Sequence, residues 1–194
     1  MLRVIQARIP KTATSSIEAA LKKIRHQHKI QFKQHGHAKT PQILRRYTAE
    51  QLKQSIVLAS VRNPYDRLLS GYQYILQAKQ DKRDKELKYV FDFKTFEDFC
   101  LALPNIFEKN QFFHPHCRWL YSGEKQLFDF IIRYESLASD WERFTNKYSL
   151  PIIPLPVIRK TKHKPWRHYY TNKMMKVVNS VYEEDFRRLK YNGD

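Results

Sequence analysis

Residues 9 to 24 join a short apolar run to an amphipathic repeat through a loop of hydroxyls and one lysine, and this junction constrains the fold more than any other stretch. Upstream, Leu2, Val4, Ile5, Ala7 and Ile9 form a run with β-branched members that ends at Pro10, which predicts a buried strand. Downstream, Ile17, Ala20, Leu21 and Ile24 fall at i, i+3, i+4 and i+7, which predicts a helix with one apolar face. Ser15 with Glu18 three positions later has the spacing of a capping box and sets the expected helix start near Ser15. A helix N-terminus carries unpaired N–H groups and partial positive charge. The loop Lys11, Thr12, Ala13, Thr14, Ser15, Ser16 therefore has the makings of an anion cradle, although an ordinary capped helix with a surface lysine has the same residues.

The Walker A loop needs glycines and ends in Gly-Lys-Ser/Thr. Here the lysine precedes the hydroxyls and the loop has no glycine, which disfavours an ordinary nucleotide triphosphatase.

A second junction of the same kind follows. Ser55 to Val61 is apolar apart from its two serines, Ser55 and Ser60, as expected of a strand buried on both faces. It runs into Arg62-Asn63-Pro64-Tyr65-Asp66-Arg67-Leu68-Leu69-Ser70-Gly71-Tyr72, where Asn63 can cap and Pro64 can open a helix. Leu68, Leu69, Tyr72, Ile75 and Leu76 supply its core face, with Asn63, Arg67 and Ser70 on another. An arginine at a strand's carboxyl end and a serine two turns into the next helix can grip a phosphate; an arginine ion-paired at a strand end would look alike. The formal charge of +17, from 36 Lys+Arg against 19 Asp+Glu, attracts polyanions of any kind and does not choose among them.

The two junctions together resemble a known family. Ile-Pro-Lys-Thr-Ala-Thr-Ser-Ser, residues 9 to 16, resembles the 5′-phosphosulfate loop of sulfotransferases that use 3′-phosphoadenosine 5′-phosphosulfate (PAPS), usually written PKTGTTS. Val61 to Tyr72 resembles their 3′-phosphate motif, RNPxDRxxSxY. The similarity is closest to the Golgi-type carbohydrate sulfotransferases and their bacterial relatives, and it spans nearly the whole chain. Gly36-His37-Ala38-Lys39-Thr40 is similar to the family's histidine segment between the motifs. Phe128 to Leu137 is similar to its strand ending in Arg-x-Glu-x-Leu, and Tyr169-Tyr170 with the helix to Tyr191 is similar to its C-terminal segment. Two departures stand out. Ala13 occupies the usual glycine position, and His114-Pro115-His116-Cys117-Arg118-Trp119 replaces a region that often carries a glutamine.

The resemblance implies one α/β domain over residues 1 to 194, with a parallel sheet flanked by helices in a P-loop-like arrangement and both motifs at the carboxyl ends of neighbouring strands. It implies an enzyme that moves a sulfuryl group from PAPS to an acceptor hydroxyl, expected on a carbohydrate, leaving adenosine 3′,5′-bisphosphate (PAP), with no metal. Lys11 would neutralise the leaving group. Lys11, Thr12, Ala13, Thr14, Ser15 and Ser16 would hold the 5′-phosphosulfate, and Arg62 and Ser70 the 3′-phosphate. Lys160 and Lys162, in the basic run after the proline-rich Leu150 to Val157, would contact the nucleotide or an anionic sugar. His37 is the first candidate for the base that takes the acceptor proton, and His35 the second.

Other segments have plainer readings. Phe93, Phe96, Phe99 and Cys100 have helical spacing and are expected in a core, Lys79 to Lys88 is expected to be solvated, and Thr40 is a plausible cap before Pro41. His114, His116 and Cys117 have no matching second cluster at zinc-site spacing. No run is long enough to span a bilayer, and two cysteines make no disulfide framework, so a cytoplasmic location is the default. A Golgi-lumenal domain trimmed of an N-terminal anchor would have the same appearance. A non-catalytic nucleic-acid or polyanion-binding domain would explain the charge but not the paired motifs, and nucleic acid is not the expected partner. A kinase-like phosphotransferase would need a metal-binding carboxylate near the loop, and no candidate stands out.

Overall fold

The computed structural model describes residues 2–28, 30–33, 35–77, 82–158 and 161–193, excluding the side chains of Lys33 and of residues 82–85. The strands are β1 (Arg3–Ala7), β2 (Gln31–Lys33), β3 (Ser55–Val61), β4 (Tyr121–Ser122), β5 (Lys125–Gln126) and β6 (Phe130–Arg133). The α-helices are α1 (Thr14–Gln27), α2 (Thr40–Leu44), α3 (Ala49–Lys53), α4 (Pro64–Gln77), α5 (Phe96–Ile106), α6 (Cys117–Leu120), α7 (Leu137–Lys147), α8 (Asn172–Val181) and α9 (Glu183–Leu189). They gather into two compact units, one of Met1–Arg62 with Arg118–Lys160 and one of Asn63–Cys117 with Thr161–Asp194.

The first unit holds a parallel four-stranded sheet in the order β2-β1-β3-β6. The strand alternation assigns its residues to two layers of helix. Val4, Ile56, Leu58 and Ile132 pack with Ile17, Ala20, Leu21 and Ile24 of α1 and with Trp141 and Phe144 of α7. From the opposite face, Ile5 and Val57 meet Ile43 of α2, with Leu44, Tyr47 and Leu52 alongside. The expected α/β architecture is therefore present, with helices on both faces of β1 and β3. The chain leaves β1 through α1 toward β2 on one side, whereas β3 has β6 on the other. That divergence is a topological switch point between β1 and β3, at whose carboxyl ends open α/β sheets bind ligands.

The second unit is helical. Tyr65, Leu68, Tyr72 and Ile75 of α4 share a core with Phe99, Cys100, Leu103 and Ile106 of α5 and Met174 and Val178 of α8. The expected core face of α4 and the buried Phe99 and Cys100 are found here. Of the Lys79 to Lys88 stretch, residues 79 to 81 lie outside the described residues, and Glu86 and Lys88 are exposed as expected whereas Leu87 is buried. Lys82–Asp92 is a 3-10 helix that buries Leu87 and Val90 in the same core. The apolar residues scattered among its charges anchor it. Thr40 is the first residue of α2 rather than its cap, because Lys39 holds the extended backbone that precedes the helix. Among the described residues, no helix is long and apolar enough to cross a membrane.

Candidate active site

Between β1 and α1 the backbone turns through the left-handed region twice, at Lys11 (φ 66°) and Ala13 (φ 62°). Ala13 is the N-cap of α1, and its carbonyl accepts from Ser16 N at 3.0 Å and Ile17 N at 3.2 Å. The expected Ser15–Glu18 capping box does not form, because the turn at Ala13 starts the helix earlier. Glu18 is instead ion-paired to Arg8 at 3.2 Å and Lys22 at 2.6 Å. The left-handed turn also explains why glycine suits position 13, since a Cβ there costs about 1–2 kcal/mol. Ala13→Gly is expected to stabilise the protein by roughly 0.5–1 kcal/mol after the greater freedom of the unfolded chain is subtracted. Thermal melts should show a rise in Tm of about 2 °C, and a fall would contradict this account of the loop.

The loop hydroxyls divide into two kinds. Thr12 is fully buried, and its Oγ1 donates to the Ile9 carbonyl at 2.9 Å. With that proton engaged, the Ser60 hydroxyl must be the donor in the 2.9 Å contact between Ser60 and Thr12. Ser60, the one polar residue in the interior of β3, thus ties the loop to the neighbouring strand, and Thr12 has chiefly its backbone N–H to present to an anion. Thr14, Ser15 and Ser16 lie in the first turn of α1, and no side-chain hydrogen bond caps that helix. Gln6 of β1 supports the turn from below by donating to the Thr14 carbonyl at 3.0 Å.

Arg62, one residue past β3, is 5% exposed, and its Nη1 donates to the Lys11 carbonyl at 3.4 Å. The guanidinium lies 3.9 Å from the centroid of the Tyr134 ring. The Arg62 guanidinium therefore reaches the backbone of the lysine loop that opens α1.

His37 is held to the same strand end. Its Nδ1 lies 3.0 Å from the carbonyl of Arg8, the residue after β1. A carbonyl only accepts, so Nδ1 carries the proton and a neutral ring has its basic lone pair on Nε2. His35 differs, because its Nε2 lies 2.6 Å from the Tyr47 hydroxyl with the rings edge to face.

The rest of the second motif belongs to the helical unit. Asn63 Oδ1 accepts from Tyr65 N at 3.0 Å, which confirms the cap of α4. Ser70 is buried and shares a 2.9 Å hydrogen bond with Thr161. Arg67 is buried as well and donates to the carbonyls of Phe112 and His114, so its work is structural. Lys162 is exposed, and Lys160 lies outside the described residues.

A model of the sulfotransferase family matches residues 2–192. The chain belongs to the sulfotransferase family. Nothing among curated proteins or solved structures matches it. As a sulfotransferase it moves sulfuryl groups from a donor to a hydroxyl, and its α/β sheet with two anion-directed junctions is suited to that chemistry.

Three residues of this sulfotransferase were not singled out from sequence. Ser60 carried a signal, as a lone hydroxyl inside an apolar strand. Thr161 lay hidden in a basic run, and Tyr134 lay inside the Arg-x-Glu-x-Leu segment at a position that the signature leaves open. His116, weighed as a metal ligand, is fully buried with Nδ1 2.7 Å from Asp185 Oδ2.

Proposed function

We propose that this sulfotransferase takes PAPS as its donor and a carbohydrate hydroxyl as its acceptor. The approach of the buried Arg62 to the backbone of the lysine loop that opens α1, past the carboxyl ends of β1 and β3, is the observation that favours a nucleotide with two anionic groups. When bound, PAPS supplies a sulfuryl group already activated by its link to phosphate, and PAP remains.

In this reading the N–H groups of the loop and of α1, with the hydroxyls of Thr14, Ser15 and Ser16, hold the 5′-phosphosulfate. Lys11 neutralises charge as it builds on the leaving oxygen, where preorganised donors contribute most. Arg62 and Ser70 bind the 3′-phosphate, with Lys160 and Lys162 as further cations. His37 takes the acceptor proton at Nε2 while the Arg8 carbonyl holds its other nitrogen. His35, paired with Tyr47, is the second choice. Charge neutralisation rests on Lys11 and the helix terminus, and the scheme calls for no metal. A chain that is both basic and rich in aromatic residues suits an anionic or hydroxyl-rich glycan as acceptor. The reading accommodates a cytoplasmic enzyme and a Golgi-lumenal catalytic domain equally.

Calorimetric titration with PAP, 5′-AMP and ATP tests the donor. PAP should bind at least about ten-fold tighter than 5′-AMP, and Arg62→Ala should remove about ten-fold or more of that preference, the size of a lost charge-assisted pair. Equal binding of the three nucleotides would put a polyanion-binding role first. Labelled PAPS offered to a desulfated polysaccharide and to a simple alcohol then tests the acceptor.

A further inference from the structure

The register of the sheet places a tyrosine under the arginine. β3 and β6 are parallel neighbours, with Val61 opposite Arg133 as the last aligned pair. Arg62 and Tyr134 are the next residues along each chain, so their side chains leave the sheet together on one side. The outcome is the 3.9 Å stack of the Arg62 guanidinium on the Tyr134 ring.

We infer that Tyr134 is a positioning residue that sets the plane of the Arg62 guanidinium for the 3′-phosphate of the donor, an inference that rests on the PAPS reading above. A guanidinium presents its N–H donors around the rim of a plane and none through its faces. A ring against one face restrains the group without consuming any donor. One rim position is occupied by the Lys11 carbonyl, which fixes rotation within that plane. A guanidinium held in a fixed plane can meet two oxygens of a phosphate as a fork. Burial strengthens the stack, because an arginine only 5% exposed has given up much of its hydration. A lysine at position 62 would lack the planar face, so the pair accounts for arginine there rather than any cation.

The test compares wild type, Tyr134→Phe and the ringless variants Tyr134→Leu and Tyr134→Met by calorimetric titration with PAP and 5′-AMP, with melts to show that each is folded. The ringless variants should lose about ten-fold in PAP affinity, the size expected of a desolvated cation–π contact, and change 5′-AMP affinity by less than about two-fold. Tyr134→Phe keeps the ring and should keep the preference for PAP. If the ringless variants weaken both nucleotides equally, or leave PAP unchanged, the positioning role is overturned while the donor assignment stands. If Tyr134→Phe loses the preference as fully as the ringless variants, the stack is not the cause and the inference likewise falls. If wild type itself does not prefer PAP to 5′-AMP, the donor assignment fails, and this inference with it.

Discussion

Lys11→Ala is expected to lower the rate of sulfuryl transfer by about 10³-fold while PAP affinity falls by less than about ten-fold. Lys11 belongs to a loop that leads into the N-terminus of α1 and whose backbone meets the Arg62 guanidinium, so binding of a nucleotide has other cationic support. Charge that develops on the leaving oxygen in the transition state has fewer alternatives. A factor of 10³ is about 4 kcal/mol of barrier, the upper part of the range for one preorganised donor. Alanine is an informative replacement, because Lys11 already has φ 66° with a Cβ and the backbone cost is carried by both residues. Lys11→Arg should recover part of the rate, since it restores the charge but not the compact geometry. Turnover of labelled PAPS together with PAP titration gives the two quantities. Parallel loss of rate and affinity would assign Lys11 to ground-state binding, and retention of more than a tenth of the rate would remove it from the chemistry.

Asp185→Ala is expected to cost about 3–5 kcal/mol of stability, seen as a fall in Tm of roughly 10 °C or more. Asp185 is fully buried and accepts three hydrogen bonds, from His116 N and Nδ1 at 2.7 Å each and from Cys117 N at 2.8 Å. Alanine would leave all three donors without that acceptor in a dry interior. The consequences spread along the chain, because the adjoining segment is pinned by Tyr182, just before α9, and by Arg67 of α4. Tyr182 donates to the Phe113 carbonyl at 2.8 Å, and Arg67 donates to those of Phe112 at 3.1 Å and His114 at 2.9 Å. Asp185→Asn keeps the shape and should cost less, although its amide must face a donor.

The same pair gives a direction for pH. Burial lowers the His116 pKa, with the Arg67 charge adding to it and Asp185 opposing. A histidine held neutral in the fold leaves the unfolded chain to bind the proton first. Stability should therefore decline as pH falls below the ordinary histidine value of about 6.5. For Asp185, burial pushes the carboxyl up, but the His116 ring with its hydrogen bond, the Arg67 charge and the Cys117 N–H outweigh it and hold the carboxyl down. A depressed carboxyl stabilises the fold above its unfolded value of about 3.9 and loses that contribution as pH falls through the folded one. Both groups act in the same sense, so melts at pH 7.5, 5.5 and 4 should show a falling Tm. A Tm that rises on acidification would contradict this account.

Local pattern alone determined a good deal of this protein. The apolar runs at Val4 to Ile9 and Ile56 to Val61, the helical spacing of Ile17, Ala20, Leu21 and Ile24, and the Asn63-Pro64 helix start are statements about neighbours in the chain. Periodicity and capping chemistry report such features directly. The lysine loop and the arginine junction were legible for the same reason, each being a short strand-to-helix turn. Only the tertiary structure decided that these two junctions meet, because the order β2-β1-β3-β6 sets β1 beside β3 and brings Arg62 to the Lys11 carbonyl across 51 positions of sequence. It also decided which polar groups face inward. Thr12 turns to Ser60, Glu18 leaves its expected cap for Arg8, His116 closes on Asp185, and Tyr134 lies under Arg62. Each of these pairings depends on burial and on strand register, which arise from the packing of distant segments and have no signature in the spacing of residues along the chain.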